Sequence, residues 1–252
     1  MPRANRHFVP GYVWHITHRC HKKDYLLKFQ KDRENWIRWL YEARKRYGLS
    51  VLNYMVTCNH IHLLVNATQR DCIQRSMQLI AGRVAQEYNH RKQRKGAYWE
   101  DRYHATAIET DEHLWRCLTY IDLNMVRAGA VRHPGEWPDC GYHEIQRPAR
   151  RYRIVDHEAL MNLLGIKSRR VLQQTHRQWI DAAINEGALQ RDEKWSRSLA
   201  VGSKQYVMNL KEKLGVKTKY RQIEGDANTY VLRETEIAYM PFWRRQQRSK
   251  SK

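Results

Sequence analysis

Val51-Leu52-Asn53-Tyr54-Met55-Val56-Thr57-Cys58-Asn59-His60-Ile61-His62-Leu63-Leu64-Val65-Asn66 holds two short runs of β-branched, aromatic and aliphatic residues, parted only at Cys58-Asn59. Such runs favour extended backbone, and so tight a connection makes an antiparallel hairpin the simplest arrangement, with strands over 51–57 and 60–66. On either side the period changes. Upstream, Trp36, Ile37, Leu40, Ala43 and Tyr47 recur at three- and four-residue spacing and Gly48 follows, which predicts an amphipathic helix over 32–47. Downstream, Ile73, Met77, Ile80, Val84 and Tyr88 mark a second helix over 71–90. Gly11–Cys20 and Tyr103–Glu109 read as flanking strands, and 111–128 as a third helix that Thr110 or Asp111 can cap. Strand, helix, strand, strand, helix, strand is the split β-α-β-β-α-β order of an α+β, ferredoxin-like domain with an antiparallel sheet.

The chain has 252 residues, room for one complete domain and an appendage. Its 46 Lys and Arg against 26 Asp and Glu give a formal charge of +20, which points to a polyanionic partner such as nucleic acid. That charge is no detachable tail: residues 1–150 carry 25 basic and 15 acidic side chains, and residues 151–252 carry 21 and 11. No stretch reaches the ~20 apolar residues that span a bilayer, and Met1–Arg6 has no apolar signal core behind it, so a cytoplasmic protein is expected. Five widely spaced cysteines (Cys20, Cys58, Cys72, Cys117, Cys140) without a C-x-x-C pair predict buried thiols rather than a disulfide frame. Nine Trp and 15 Tyr against 3 Phe tilt the reading toward unpaired bases, on which amphipathic rings stack. Beyond a loop-like stretch from Pro134 to Arg151, helices are expected near 156–164, 171–184 and 204–214, extended chain near 229–233, and a basic end at Arg244–Arg248.

His60 and His62 alternate with Ile61 and so project from one face of their strand, as half of a divalent-metal site does. In the third helix Leu114, Leu118, Ile121 and Met125 form a core stripe, leaving His113, Arg116, Tyr120, Asn124 and Arg127 as a polar row. Were that row to face the histidines, a phenol, a carboxamide, two imidazoles and two guanidinium groups would converge, a constellation able to cleave a phosphodiester. Taken alone, each element also fits ordinary half-exposed histidines and solvated arginines. His15 and His18, three apart on the first strand, fall on opposite faces, which argues against a joint metal role. His104 lies on the fourth strand, where DNA contact and packing are both open. The Arg91, Lys92, Arg94, Lys95 run is a solvated turn or a phosphate contact. Trp99 and Tyr103 read as core.

His60-Ile61-His62 resembles the His-hydrophobe-His signature of the HUH nucleases, and Tyr120-Ile121-Asp122-Leu123-Asn124-Met125-Val126-Arg127-Ala128-Gly129 resembles the tyrosine-bearing helix of single-tyrosine transposases. More specifically, the chain resembles the REP-associated tyrosine transposases, with further likeness in Trp99–Thr106, Met77-Gln78 and His15–Cys20. Cys58 and Met125 stand where the family commonly has proline. The resemblance spans about residues 8–147 and implies a catalytic domain over 1–147; the composition of 148–252 suits a basic, mainly helical accessory region, for which DNA contact is an open expectation. The resemblance implies Tyr120 as nucleophile and Mg²⁺ or Mn²⁺ held by His60, His62 and Asn124. It further implies cleavage and rejoining of single-stranded DNA at hairpin-forming repeats through a 5′-phosphotyrosine, at the bacterial nucleoid. Arg116 and Arg127 by helix phase, and Arg102 beside His104, are candidate DNA contacts. A homodimer is left open, since small relatives work as dimers and others as monomers. Two other classes compete: a sequence-specific nucleic-acid-binding protein without cleavage, and a zinc module using Cys58, His60 and His62.

Overall fold

The computed structural model of the chain describes residues 8–234 apart from 68, 70, 188, 189, 219 and 227; the basic end at Arg244–Arg248 lies outside the described residues. The hairpin forms from β2 (Ser50–Val56) and β3 (His60–Asn66), with a bulge between Val51 and Asn53. β1 (Val13–Arg19) lies between β3 and β4 (His104–Ile108), antiparallel to both. The helices α1 (Gln30–Tyr47) and α2 (Cys72–Arg91) connect these strands and pack on each other. The order β2-β3-β1-β4 with antiparallel neighbours is the ferredoxin-like arrangement.

The third helix is not continuous. It divides into α3 (Glu112–Asp122) and α4 (Asn124–Arg127) at Leu123, whose φ of −77° and ψ of 5° turn the chain out of helical register. A continuous helix would offer the Tyr120 carbonyl to the Asn124 N–H; here that carbonyl accepts the Arg127 guanidinium at 2.5 Å. Asp111 stands at the N-cap but makes no capping bond through its side chain.

Past a short helix, α5 (Tyr142–Gln146), lie α6 (His157–Leu163), α7 (Arg169–Asn185), α8 (Lys194–Arg197) and α9 (Lys204–Leu214). This half also supplies strands. β5 (Ala200–Gly202) pairs in parallel with β4, and β6 (Arg221–Asp226) and β7 (Thr229–Glu234) extend the same sheet to seven strands in the order β2-β3-β1-β4-β5-β7-β6. Only β7 was legible as extended chain. At three residues β5 is too short to show a period, and it forms because Ala107 and Glu109 N–H donate to the Leu199 and Val201 carbonyls.

The sheet is covered on both sides. Alternation along β1 sends Ile16 and His18 one way and His15 and Thr17 the other. His18 stacks on Trp99 (centroids 4.0 Å, 14°), and the Trp99 indole donates to Ala81 of α2, so α1 and α2 cover that face. The opposite face meets α3 through Tyr120. Double coverage explains why β2 is buried along its whole length and why β3 reads as an almost continuous apolar run. The thiols behave as expected: all five are free, with Cys20, Cys72, Cys117 and Cys140 buried. A polar chain crosses this core: Asn53 of β2 donates to Asp122 Oδ1 at 2.9 Å, His176 of α7 donates to Asp122 Oδ2 at 2.7 Å, and Gln146 donates to His176 Nδ1 at 2.9 Å.

Candidate active site

Polar groups buried in a doubly covered sheet must find partners, and the histidines of β1 and β3 find one another. The His15 and His62 rings are close to coplanar (9°), with His15 Nε2 2.9 Å from His62 Nδ1. The N···N line and the two ring radii account for nearly all of the 5.1 Å between centroids, so this is an in-plane hydrogen bond and not a face-to-face stack. His15 Nδ1 donates to the Trp195 carbonyl of α8 at 2.7 Å. His60 stands across His62 (centroids 5.0 Å, 76°), with its Nδ1 held by Thr57 Oγ1 at 2.9 Å and Asn59 Oδ1 at 2.8 Å. The Asn124 amide nitrogen lies 2.9 Å from His62 Nε2.

Tyr120 comes down from α3 onto this cluster. Its ring is edge-on to His62 (5.8 Å, 83°) and His15 (6.1 Å, 78°), beside Trp195 at 6.1 Å. The Arg127 guanidinium sits 4.2 Å over the ring, held there by its bond to the Tyr120 carbonyl. Thus the break at Leu123 places a cation on the phenol while leaving Asn124 on His62. Tyr120, His60, His62, Asn124 and Arg127 line a cavity of about 1010 Å³ that also carries Arg19, Arg102, Arg191 and Arg197 against Glu100 and Asp101, so its walls are net positive.

The electrostatics follow from burial. Desolvation pushes His15 down to about 3, and His60 down to about 4 with help from Arg19. It takes His62 well below the ordinary histidine value, and His18 to about 4. At neutral pH these rings are uncharged, the form that binds metal or accepts a hydrogen bond. Burial raises Tyr120, opposed by Arg127 and Arg191, whose charge favours the phenolate. One consequence concerns stability. With folded values below about 6.5, the unfolded chain binds more protons over the interval from about 4 to 6.5, so stability rises with pH there and is flat above it. Urea melts of the metal-free protein are expected to hold their midpoint from pH 8 to 7 and lose it steadily from pH 6 to 4.5; a constant midpoint to pH 4.5 contradicts neutral burial.

Of the residues singled out by sequence, Tyr120, His60, His62, Asn124, Arg127, Arg102 and His104 share this cavity. His104 bonds the Ser198 carbonyl through Nε2 at 2.9 Å. The others lie elsewhere. Arg116 pairs with Glu112 at 2.5 Å and reaches Thr229, lining a neighbouring cavity. Arg91 pairs with Asp32, Lys92 lies 5.5 Å from the Phe29 ring, Arg94 closes its own turn on Asn89 and Ala97, and Lys95 is exposed. Sequence reasoning missed His15, Arg19, Arg191, Arg197 and Trp195. His15 was weighed only against His18 on its own strand, whereas its partner is the diagonal neighbour on β3; residues 191–197 show no period that would flag them.

Among the described residues no group of three or more His, Cys, Asp or Glu side chains is placed to hold a metal ion, so Cys58 forms no such cluster with His60 and His62. A divalent ion would have two imidazoles and the Asn124 carboxamide from the protein, a neutral set that suits a weakly held ion completing its shell with water and substrate oxygens. His62 Nε2 and Asn124, both facing the cavity, fit that requirement.

A helix-borne tyrosine against histidines of a ferredoxin-like sheet, in a cavity that arginines also line, defines the class: an α+β protein whose sheet and third helix together bound its principal polar cavity. Residues 9–124 match the family described as "Transposase IS200 like", a segment that includes His60, His62, Tyr120 and Asn124. Among solved structures it is similar to a REP-associated tyrosine transposase bound to a REP hairpin, at 17% identity over 62% of this chain and 94% of that chain, with a TM-score of 0.49. It is also similar to a chain described as a transposase from Deinococcus radiodurans R1, at 17% identity over 41% of this chain and 83% of that one, with a TM-score of 0.31. A search of curated proteins returned no match. No helix among the described residues is long and apolar enough to cross a membrane.

Proposed function

We propose that this protein cuts and rejoins single-stranded DNA beside hairpin-forming repeats, with Tyr120 as the nucleophile. The observation that carries this reading is the placement of the Tyr120 ring 5.8 Å from His62, edge-on, while Asn124 engages the same imidazole, all inside an arginine-lined cavity. In the forward step the phenolic oxygen bonds to phosphorus and loses its proton to solvent. The bond from phosphorus to the 3′ oxygen breaks, and that oxygen leaves as a 3′-hydroxyl after gaining a proton. The product is a 5′-phosphotyrosine. In the reverse step a 3′-hydroxyl attacks the same phosphorus and expels the phenol, so the bond energy is kept and no external energy source is needed.

Arg127 favours the phenolate that attacks, since a cation 4.2 Å over the ring opposes the desolvation that otherwise keeps the phenol protonated. Arg19, Arg102 and Arg191 orient phosphates along the cavity. Mg²⁺ or Mn²⁺, held by His60, His62 and Asn124, would supply charge stabilisation on the scissile phosphate. Arg116 and the Arg91–Lys95 turn lie outside the cavity, where only flanking DNA could meet them.

The test is incubation of the full-length protein with a labelled hairpin oligonucleotide bearing single-stranded flanks, with Mg²⁺ or Mn²⁺. A covalent protein–DNA adduct is expected; tight binding without adduct or nick across varied flanks overturns the proposal in favour of a binding protein. A second expectation separates the cavity arginines from sequence readers: Arg191→Ala weakens single-strand binding about equally for unrelated sequences and lowers the slope of log K against log salt by about 1. An unchanged slope in salt titrations would remove Arg191 from the phosphate path.

A further inference from the structure

His15 belongs to no part of the proposed chemistry, yet it is fully buried under Tyr120 and bonded at both ring nitrogens. Its partners fix where every hydrogen in the chain must lie. A carbonyl oxygen only accepts, so the contact between His15 Nδ1 and the Trp195 carbonyl requires the proton on Nδ1. A neutral imidazole carries one N–H, which leaves His15 Nε2 as an acceptor. Its in-plane partner at 2.9 Å, His62 Nδ1, must then be the donor. With its single proton on Nδ1, His62 has its lone pair at Nε2, the nitrogen that meets Asn124. The far end is consistent with this, since Asn124 meets His62 Nε2 through its amide nitrogen, a donor. All hydrogens point one way: Asn124 to His62 to His15 to Trp195.

We propose that His15 is a positioning residue that locks His62 in the tautomer whose Nε2 lone pair binds a divalent cation, with the α8 backbone carbonyl of Trp195 setting the direction of the relay. The inference rests on the metal role of His62 given above. It also gives the 148–252 region a task apart from DNA contact: a main-chain oxygen of α8 dictates the proton position on a β3 side chain two hydrogen bonds away. A donor locked by an outer partner is the usual means by which a metal-binding imidazole is oriented, and loss of such a partner typically weakens metal binding about 10–100-fold.

The experiment uses the full-length chain, freed of metal and labelled with ¹⁵N in histidine. Long-range ¹H–¹⁵N spectra distinguish protonated from bare ring nitrogens, with the His62 resonances assigned by comparison with His62→Ala. Both His15 and His62 are expected to carry their proton on Nδ1 in the wild-type protein. A proton on His62 Nε2 overturns the relay without any reference to activity or folding of a variant. The second arm measures Mn²⁺ affinity. His15→Phe fills the same space and offers no acceptor, so Mn²⁺ affinity is expected to fall about 10-fold or more while circular dichroism stays native. Native folding with undiminished Mn²⁺ affinity overturns the proposal. Absence of Mn²⁺ binding by the wild-type chain overturns the metal role of His62 and this inference with it, an outcome distinct from failure of the relay alone.

Discussion

Tyr120→Phe is expected to abolish the covalent adduct and to lower strand cleavage by at least about 10³-fold, while leaving hairpin binding within about 2-fold of wild type. The size follows from the step itself. Removing a nucleophile removes the bond to phosphorus, and such losses reach several orders of magnitude; no other tyrosine among the described residues lines the cavity. His60 and His62 hold their rings by hydrogen bonds to neighbours, and the cysteines of the core are buried and inert as nucleophiles. Binding survives because phenylalanine keeps the ring contacts with His15, His62, Trp195 and Arg127, and the oxygen contributes little to a stack of this kind. Denaturing gels of the end-labelled hairpin read the adduct, and gel shifts on the same protein read the binding. An adduct that persists in Tyr120→Phe would move the nucleophile to another residue; one that disappears together with hairpin affinity would mean that the tyrosine is a binding platform.

The parts of this site that sequence could supply are those in which spacing fixes geometry. His60 and His62 share a strand face because the period of a strand is two, and the structure keeps β3 at His60–Asn66, as the alternation required. Tyr120 and Asn124 meet the same histidine because they lie about one turn apart, even though the helix between them breaks. The break has no signature in propensity, and it leaves the Tyr120 carbonyl to accept the Arg127 guanidinium from the following turn. His15 was out of reach for a related reason. Alternation says which face it occupies, whereas its role depends on which strand lies alongside and in what register, Thr17 opposite His62 rather than His15. Arg191, Trp195 and Arg197 arrive from a stretch without apolar period, brought over the sheet by β5, a strand too short to announce itself.

Asp122→Ala is expected to destabilise the protein by about 3–5 kcal/mol, the cost of leaving two buried donors, the Asn53 amide and the His176 ring N–H, without their acceptor. For a chain of this length that corresponds to a fall in Tm of about 10 °C. Asp122 sits in the last turn of α3, where the helix dipole disfavours a carboxylate, and its side chain is fully enclosed. It persists there because Asn53 and His176 donate to its two oxygens at 2.9 and 2.7 Å. Alanine leaves both donors buried without their acceptor, each a desolvation cost with no compensating bond. Because the pair ties α3 to α7 two residues beyond Tyr120, the same change loosens the tyrosine against the histidines, and adduct formation should fall more than hairpin affinity. His176→Ala should be less costly than Asp122→Ala if the carboxylate gains access to water. The double variant should lose less than the sum of the singles, with a coupling of about 1 kcal/mol or more. Thermal melts of the four proteins test this directly: additive losses, or a fall of less than about 2 °C for Asp122→Ala, would show that α3 is held by its apolar stripe alone and that the buried pair contributes nothing to where Tyr120 stands.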